Sequence, residues 1–292
     1  MAHPTYFSPK SMEEAISLLS QYGDKARVIS GGTDLVVQMK RTGLVPDCLI
    51  NISGIPDLDY VRYDLTNGLR IGALTSIGQV ANSPLLREKF SVLAQGAGLL
   101  GTPAIKNQGT IGGNLCNAAP SADIAPPLIV LGAVAKFAGP DGEKIVPVED
   151  FFTGPGVTIM KQNELLLEIQ IPNPRPYSGG AYLKQTRGRA ADLAVVGVAV
   201  LVVMDKESIG DVRIALGAVA PTPIRAKKAE VILKGMKLDD KLLDESSQAA
   251  SYESKPIDDV RSSADYRKRL VAVLTKRAVL QAVQQAQSEV SS

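Results

Sequence analysis

Gly109–Pro127 reads GTIGGNLCNAAPSADIAPP, with too many small residues and too little periodicity for a plain helix or strand. It lies between the helical spacing of Ser91–Leu99 and the apolar segment Ile124–Ala135. Its backbone is bare at Gly109, Gly112 and Gly113, and nearly so at Ala118, Ala119 and Ala122, so a ligand can approach the main chain closely. Thr110, Asn114, Asn117, Ser121 and Asp123 interleave short donors and acceptors, a pattern that suits a phosphate or the edge of a heterocycle. Asp123, followed by Ile124 and the Pro126-Pro127 pair, has the pattern of a helix N-cap. On these residues alone, a Gly-rich connection at a domain edge is an equal alternative.

Working towards the N-terminus, Ser11 and Glu14 form a capping-box pattern ahead of an amphipathic helix that Gly23 ends. Ala26–Ile29 reads as a strand running into Ser30-Gly31-Gly32-Thr33-Asp34, and Leu35–Arg41 as a helix. Strand, glycine turn and helix place backbone N–H groups and a positive helix end around the turn, which suits a pyrophosphate. The turn is neither a Walker sequence nor G-x-G-x-x-G; by itself a plain tight turn fits equally. Val45–Ile52 reads as a strand, and Tyr60–Asp64 pairs with Leu69–Ala73 across Asn67-Gly68. Towards the C-terminus, Leu165–Ile171, Ala181–Thr186, Leu193–Val203 and Asp211–Val219 read as an antiparallel meander. Helices follow at Ile224–Lys234, Asp239–Ala250 and Ala264–Gln284. The break at Asn173–Ser178 marks a boundary between two α+β domains.

Bulk properties narrow the chemistry. The 292 residues are 45% hydrophobic and 21% charged, with a net charge of +2, values of a globular protein with no electrostatic case for nucleic acid. The apolar run Leu193–Val203 falls far short of the roughly 20 residues that span a bilayer and reads as a buried strand. No secretory pattern is read at the N-terminus, and Cys48 and Cys116 are the only cysteines, so a reducing, cytoplasmic setting is expected. The single histidine is His3. Neither a histidine-based triad nor a histidine metal site can be assembled, so chemistry here would fall to a bound cofactor.

With both glycine loops located, the chain resembles the FAD-binding (medium) subunit of the xanthine dehydrogenase/molybdenum hydroxylase family, the group that includes carbon monoxide dehydrogenase medium subunits. The likeness rests on Ser30-Gly31-Gly32-Thr33-Asp34-Leu35, on Thr110-Ile111-Gly112-Gly113-Asn114 with Pro120 and Asp123, and on Ile214–Pro223. Asp258-Asp259-Val260-Arg261 ahead of Tyr266-Arg267 is also similar to the family's pattern. The resemblance implies an α+β fold: a PCMH-type FAD-binding domain over residues 1–175, of the kind seen in vanillyl-alcohol oxidase-like flavoproteins, with subdomains near 1–55 and 56–175. A C-terminal flavoprotein domain of the carbon monoxide dehydrogenase type would follow over 176–292, with a three-stranded antiparallel sheet and a helical bundle.

The resemblance also implies residue roles. Val28, Ile29, Ser30, Gly31, Gly32, Thr33, Asp34 and Leu35 would wrap the FAD pyrophosphate. Thr110, Gly112, Gly113, Asn114 and Asp123 would line the second side, with Asp123 accepting from cofactor hydroxyls. Leu100 and Leu166 would pack on apolar parts of FAD, Lys184 would lie near the flavin ring, and Leu193 over its face. Some carbon monoxide dehydrogenase relatives have tyrosine at the place of Leu193, and their first loop tends to differ, so the chain departs from that branch. The cysteine-rich insertion of the hydroxybenzoyl-CoA reductase branch is missing.

The implied activity is electron transfer with no catalytic side chain beyond the flavin and no metal held by this chain. A large molybdopterin subunit would oxidise the substrate, and a small subunit with two [2Fe-2S] clusters would relay electrons, within a dimer of heterotrimers. FAD would pass them to NAD, a quinone, ferredoxin or oxygen. One rival is a self-contained vanillyl-alcohol oxidase-type flavoenzyme, which the lone His3 disfavours where flavin is tethered through histidine. Another is an assembly module that has lost FAD, which the intact loops disfavour.

Overall fold

The computed structural model describes residues 4–188 and 192–290. Its first unit carries β1 (Thr5–Phe7), α1 (Met12–Tyr22), β2 (Ala26–Ile29), α2 (Leu35–Thr42) and β3 (Cys48–Asn51). The strands form a parallel sheet in the order β1-β3-β2. Ser11 caps α1 by accepting from the Glu14 N–H at 3.2 Å, and Ala15 and Leu19 of that helix join Cys48 and Ile50 in a small core. Because the strands are parallel, the chain leaves β2 for its glycine turn at the sheet's carboxyl end, beside the start of α2.

The second unit holds β4 (Val61–Asp64), β5 (Gly68–Gly72), α3 (Ile77–Asn82), α4 (Pro84–Lys89), α5 (Ser91–Leu99), α6 (Pro103–Gln108), α7 (Ile111–Asn117) and α8 (Ala125–Val130). It continues through β6 (Val134–Gly139), β7 (Gly142–Pro147), the short pair β8 (Phe152–Gly154) and β9 (Val157–Thr158), and β10 (Leu165–Ile171). The main sheet runs β4-β5-β10-β6-β7. Tyr63 pairs with Leu69 and Asp64 with Gly68, as the Asn67-Gly68 signal predicts. Leu69, Ile71, Phe137 and Ile169 alternate onto one face and meet the helices in the largest core.

Three expectations change here. The stretch Gly109–Pro127 is not continuous loop, because residues 111–117 close into α7. Thr110 caps that helix by accepting from Gly113 N–H at 3.0 Å, and packing against Ala73 at Gly112 outweighs the poor helix propensity of glycine. Leu165–Ile171 does not head the C-terminal meander: β10 returns to sit antiparallel between β5 and β6. Ile224–Lys234 is not one helix, since Ile224 and Arg225 add an edge strand before the helix begins.

The third unit is β11 (Ser178–Gln185), β12 (Val196–Asp205), β13 (Ser208–Gly217), β14 (Ile224–Arg225), α9 (Lys227–Leu233), α10 (Asp240–Glu253) and α11 (Ala264–Val290). Three long antiparallel strands and the two-residue β14 make its sheet. Val198, Val200 and Val202 face the core shared with α9 to α11, while Tyr182, Ala199 and Ala215 face the core of the second unit. Burial on both faces explains why β12 reads as an unbroken apolar run rather than an alternating one.

Candidate cofactor site

Two glycine loops, far apart in sequence, lie against each other. The Ser30 hydroxyl after β2 is 3.1 Å from the Thr110 hydroxyl before α7. A methyl group on Gly31 would sit 1.8 Å from the Gln108 carbonyl oxygen, and one on Gly113 would sit 2.9 Å from Thr110 Oγ1 and 3.1 Å from Ser30 Oγ. Gly31 therefore lets two main chains approach more closely than any side chain permits, and Gly113 leaves room for the paired hydroxyls. Gly32 has a different duty, because its φ of 70° lies in the left-handed region that reverses the chain into α2.

Asp123 follows in the same connection and departs from its expected role. Ile124 occupies the cap position of α8, and no side chain caps that helix. The Asp123 carboxylate turns inward instead, accepting from the Lys184 ammonium at 2.7 Å on one oxygen and from the Tyr182 hydroxyl at 2.8 Å on the other. Lys184 also donates to the Leu99 carbonyl at 3.1 Å. Its side chain is only 3% exposed, so it is a buried ion-pair partner and not a solvated edge charge. Burial pushes the Asp123 carboxyl upward, against the opposing pull of Lys184 and Tyr182. Burial and the adjacent carboxylate raise the Tyr182 phenol well above its ordinary value.

The remaining expected residues distribute unevenly. Val28 and Ile29 end β2, Thr33 and Asp34 complete its turn, and Leu35 opens α2, of which no residue is buried. Desolvation raises the Asp34 carboxyl. Leu100 is half-buried just past α5, beside the Leu99 carbonyl that Lys184 contacts. Leu193 is 62% exposed, and Leu166 is buried in the main core with Phe137 as its cross-strand neighbour. Asn114 is within α7, and its side-chain Oδ1 is buried with no hydrogen-bond partner.

Sequence reading missed Tyr182, although its place two residues before Lys184 on one strand puts both side chains on the same face. It also missed how the third motif joins the site. Ala218 N–H donates to the Pro120 carbonyl at 2.7 Å, and Arg267 donates to the Ala218 carbonyl at 3.0 Å. Arg267 in turn pairs with Asp259 at 2.5 Å.

A glycine-lined junction at the carboxyl end of a parallel sheet, in a chain that also holds a buried Lys–Asp pair, marks an α+β protein suited to a nucleotide cofactor. Residues 2–174 match the FAD binding domain in molybdopterin dehydrogenase, and residues 181–282 match the CO dehydrogenase flavoprotein C-terminal domain. The chain belongs to this family of FAD-binding oxidoreductase subunits. It is 33% identical to the carbon monoxide dehydrogenase medium chain of Hydrogenophaga pseudoflava, covering 94% of this chain and 95% of that one. It is 32% identical to the glyceraldehyde dehydrogenase medium chain of Sulfolobus acidocaldarius, over 94% and 96% of the two chains. In structure it is similar to the carbon monoxide dehydrogenase of Hydrogenophaga pseudoflava lacking the Mo-pyranopterin moiety, with a TM-score of 0.94, 33% identity, and 97% and 98% of the chains covered. Quinoline 2-oxidoreductase from Pseudomonas putida 86 gives 0.91 at 27% identity, over 98% and 99%. Overall likeness thus spreads across several substrates and singles out none.

The residues fit FAD on their own terms. The orphaned Asn114 oxygen is a buried acceptor in want of a donor, and the junction offers bare backbone for a pyrophosphate. Among the described residues, no helix is long and apolar enough to cross a membrane.

Proposed function

We propose that this chain is the flavin electron-transfer subunit of a molybdenum hydroxylase complex. The observation that carries the reading is the contact between the glycine loops at Ser30 and Thr110, together with the buried pair that Asp123, before α8, makes with Lys184 of β11. Val28 to Leu35 would hold the pyrophosphate, and Thr110, Gly112, Gly113, Asn114 and Asp123 the opposite side. Leu100 and Leu166 would supply apolar contacts, and Leu193 would lie over the ring face. Val28, Val36, Val37 and Ile105 flank the loops with exposed apolar surface, which suits a partly apolar cofactor. The finer fold assignment that goes with this function is the PCMH/vanillyl-alcohol oxidase type.

When bound, FAD supplies the exchange between one-electron and two-electron carriers. The residues around it bind, orient and place charge: the Lys184 ammonium favours negative charge on a neighbouring ligand, and the buried setting strengthens that effect. The complex would include a large molybdopterin subunit and a small subunit with two [2Fe-2S] clusters, assembled as a dimer of heterotrimers in the cytoplasm. NAD, a quinone, ferredoxin or oxygen would accept the electrons, and the large subunit would choose the substrate.

Affinity purification of the chain from its native cells, with flavin and metal read together, tests this. The expected eluate contains FAD, molybdenum and roughly two [2Fe-2S] clusters per copy, with a large and a small partner. A lone chain that carries FAD and oxidises a small molecule by itself would replace the complex with a self-contained flavoenzyme.

A further inference from the structure

The geometry points to Tyr182 as a positioning residue that keeps one N–H of the Lys184 ammonium free for the cofactor; this inference rests on the flavin reading above. Lys184 and Tyr182 stand two residues apart on β11 and grip Asp123 from the same face, each on its own carboxylate oxygen. An ammonium has three N–H donors. Two go to Asp123 Oδ2 and the Leu99 carbonyl, which leaves the third for a ligand.

The tyrosine decides whether that third donor stays available. With its hydroxyl on Oδ1, the carboxylate is held in a fixed rotation and offers Lys184 a single oxygen. Without the hydroxyl, Oδ1 becomes a buried unpaired acceptor in a side chain only 6% exposed, a condition costly enough to turn the carboxylate. Lys184 is the donor within reach, so both carboxylate oxygens would compete for it and draw its charge away from the ligand.

The neighbouring strand is shaped to this arrangement. Gly197 lies directly across from Lys184 in the β11–β12 register, and a methyl group there would stand 2.5 Å from the Tyr182 hydroxyl oxygen. The phenol is further fixed through its own backbone, whose N–H donates to Gln95 Oε1 of α5 at 2.8 Å. Glycine at this place therefore serves the tyrosine, and the tyrosine serves the ion pair.

The test measures the FAD dissociation constant and the flavin midpoint potential in the full-length chain, in wild type, Tyr182→Phe, Lys184→Met and the double variant. Tyr182→Phe is expected to weaken FAD roughly ten- to hundredfold, the value of a hydrogen bond to a charged group. A tenfold loss of preference for reduced over oxidised flavin would lower the midpoint by about 30 mV. Because the tyrosine acts through the lysine, Tyr182→Phe should cost little more in the Lys184→Met background. Gly197→Ala, which keeps every functional group but displaces the hydroxyl, should reproduce the Tyr182→Phe loss. Affinity and potential unchanged in Tyr182→Phe, or losses that add fully in the double variant, would overturn the inference while leaving the flavin reading intact. A wild-type chain that takes up no FAD would overturn the flavin reading and this inference with it.

Discussion

Gly31 and Gly32 are adjacent and chemically identical, yet the structure gives them separable costs. Alanine at Gly31 would drive a methyl group into the Gln108 carbonyl, a backbone atom that cannot turn aside. The two loops would have to part, at about 1–3 kcal/mol by analogy with overpacked cores. Alanine at Gly32 meets only the flexible ends of Ile29 and Val36, and its cost is the left-handed backbone, about 1–2 kcal/mol. Thermal denaturation of the two variants without flavin should therefore find both destabilised. Flavin titration should separate them, with the larger loss of affinity in Gly31→Ala because that change opens the Ser30–Thr110 junction. The glycine turn was legible in sequence, where by itself an anion site and a plain tight turn fitted it equally. The partner of Gly31 was not, because contact between residues 31 and 108 depends on tertiary approach and leaves no periodic trace.

The Asp258–Arg261 turn ahead of α11 shows at the level of an element why a surface motif matters to a distant site. Asp258 accepts from the Ala264 N–H at 2.6 Å at the start of α11. Asp259 holds Arg261 and the buried Arg267, and Arg267 reaches the carbonyl of Ala218, the same residue whose N–H donates to Pro120. Asp259→Ala would strand a guanidinium whose side chain is 3% exposed, at about 3 kcal/mol. Burial raises the Asp259 carboxyl, but the Arg261 N–H and the Arg267 and Arg261 guanidinium groups overcome it and hold the group well below the usual carboxylate range. A depressed folded pKa contributes stability that is complete above the unfolded value of about 3.9 and is lost as pH falls towards the folded value. Denaturant titrations should thus show a wild-type advantage over Asp259→Ala that is flat from neutral pH to about 4 and shrinks below it. An advantage that grew on acidification would sink this account. The motif was visible in sequence, but its partners Ala218 and Pro120 were not. Similarly, α7 was hidden because a Thr110 cap and packing at Gly112 form a helix that propensity alone disfavours, and β10 was misassigned because apolar alternation does not say which sheet a strand joins.

At the scale of the whole molecule, the proposed FAD would touch all three units: the first loop follows the parallel sheet, the second lies in the helices over the five-stranded sheet, and Lys184 stands on the third sheet. The boundary expected at Asn173–Ser178 rested on a break in periodicity, whereas the change in texture after Glu164 misled, because β10 returns to the five-stranded sheet. The pairings were not legible, since Ser30 meets Thr110, and Asp123 meets Lys184, only through the packing of separate cores. A ligand that binds the folded chain alone stabilises it by about 2.7 kcal/mol at 100 times its dissociation constant, which for a chain of this size raises the melting temperature by roughly 5 °C. Where that stabilisation appears is more diagnostic than its size. If FAD bridges all three units, amide exchange should slow together in residues 30–36, in 110–117 and in β11 around Lys184, segments separated by long stretches whose exchange is unchanged. Protection confined to the first two segments would remove the third sheet from the site and make the Lys184–Asp123 pair a purely structural ion pair. In Lys184→Met, the first two segments should keep most of their protection while β11 loses its share, because the glycine junction does not depend on that ammonium. Equal loss in all three segments would mean that the lysine holds the units together and does not contact the cofactor.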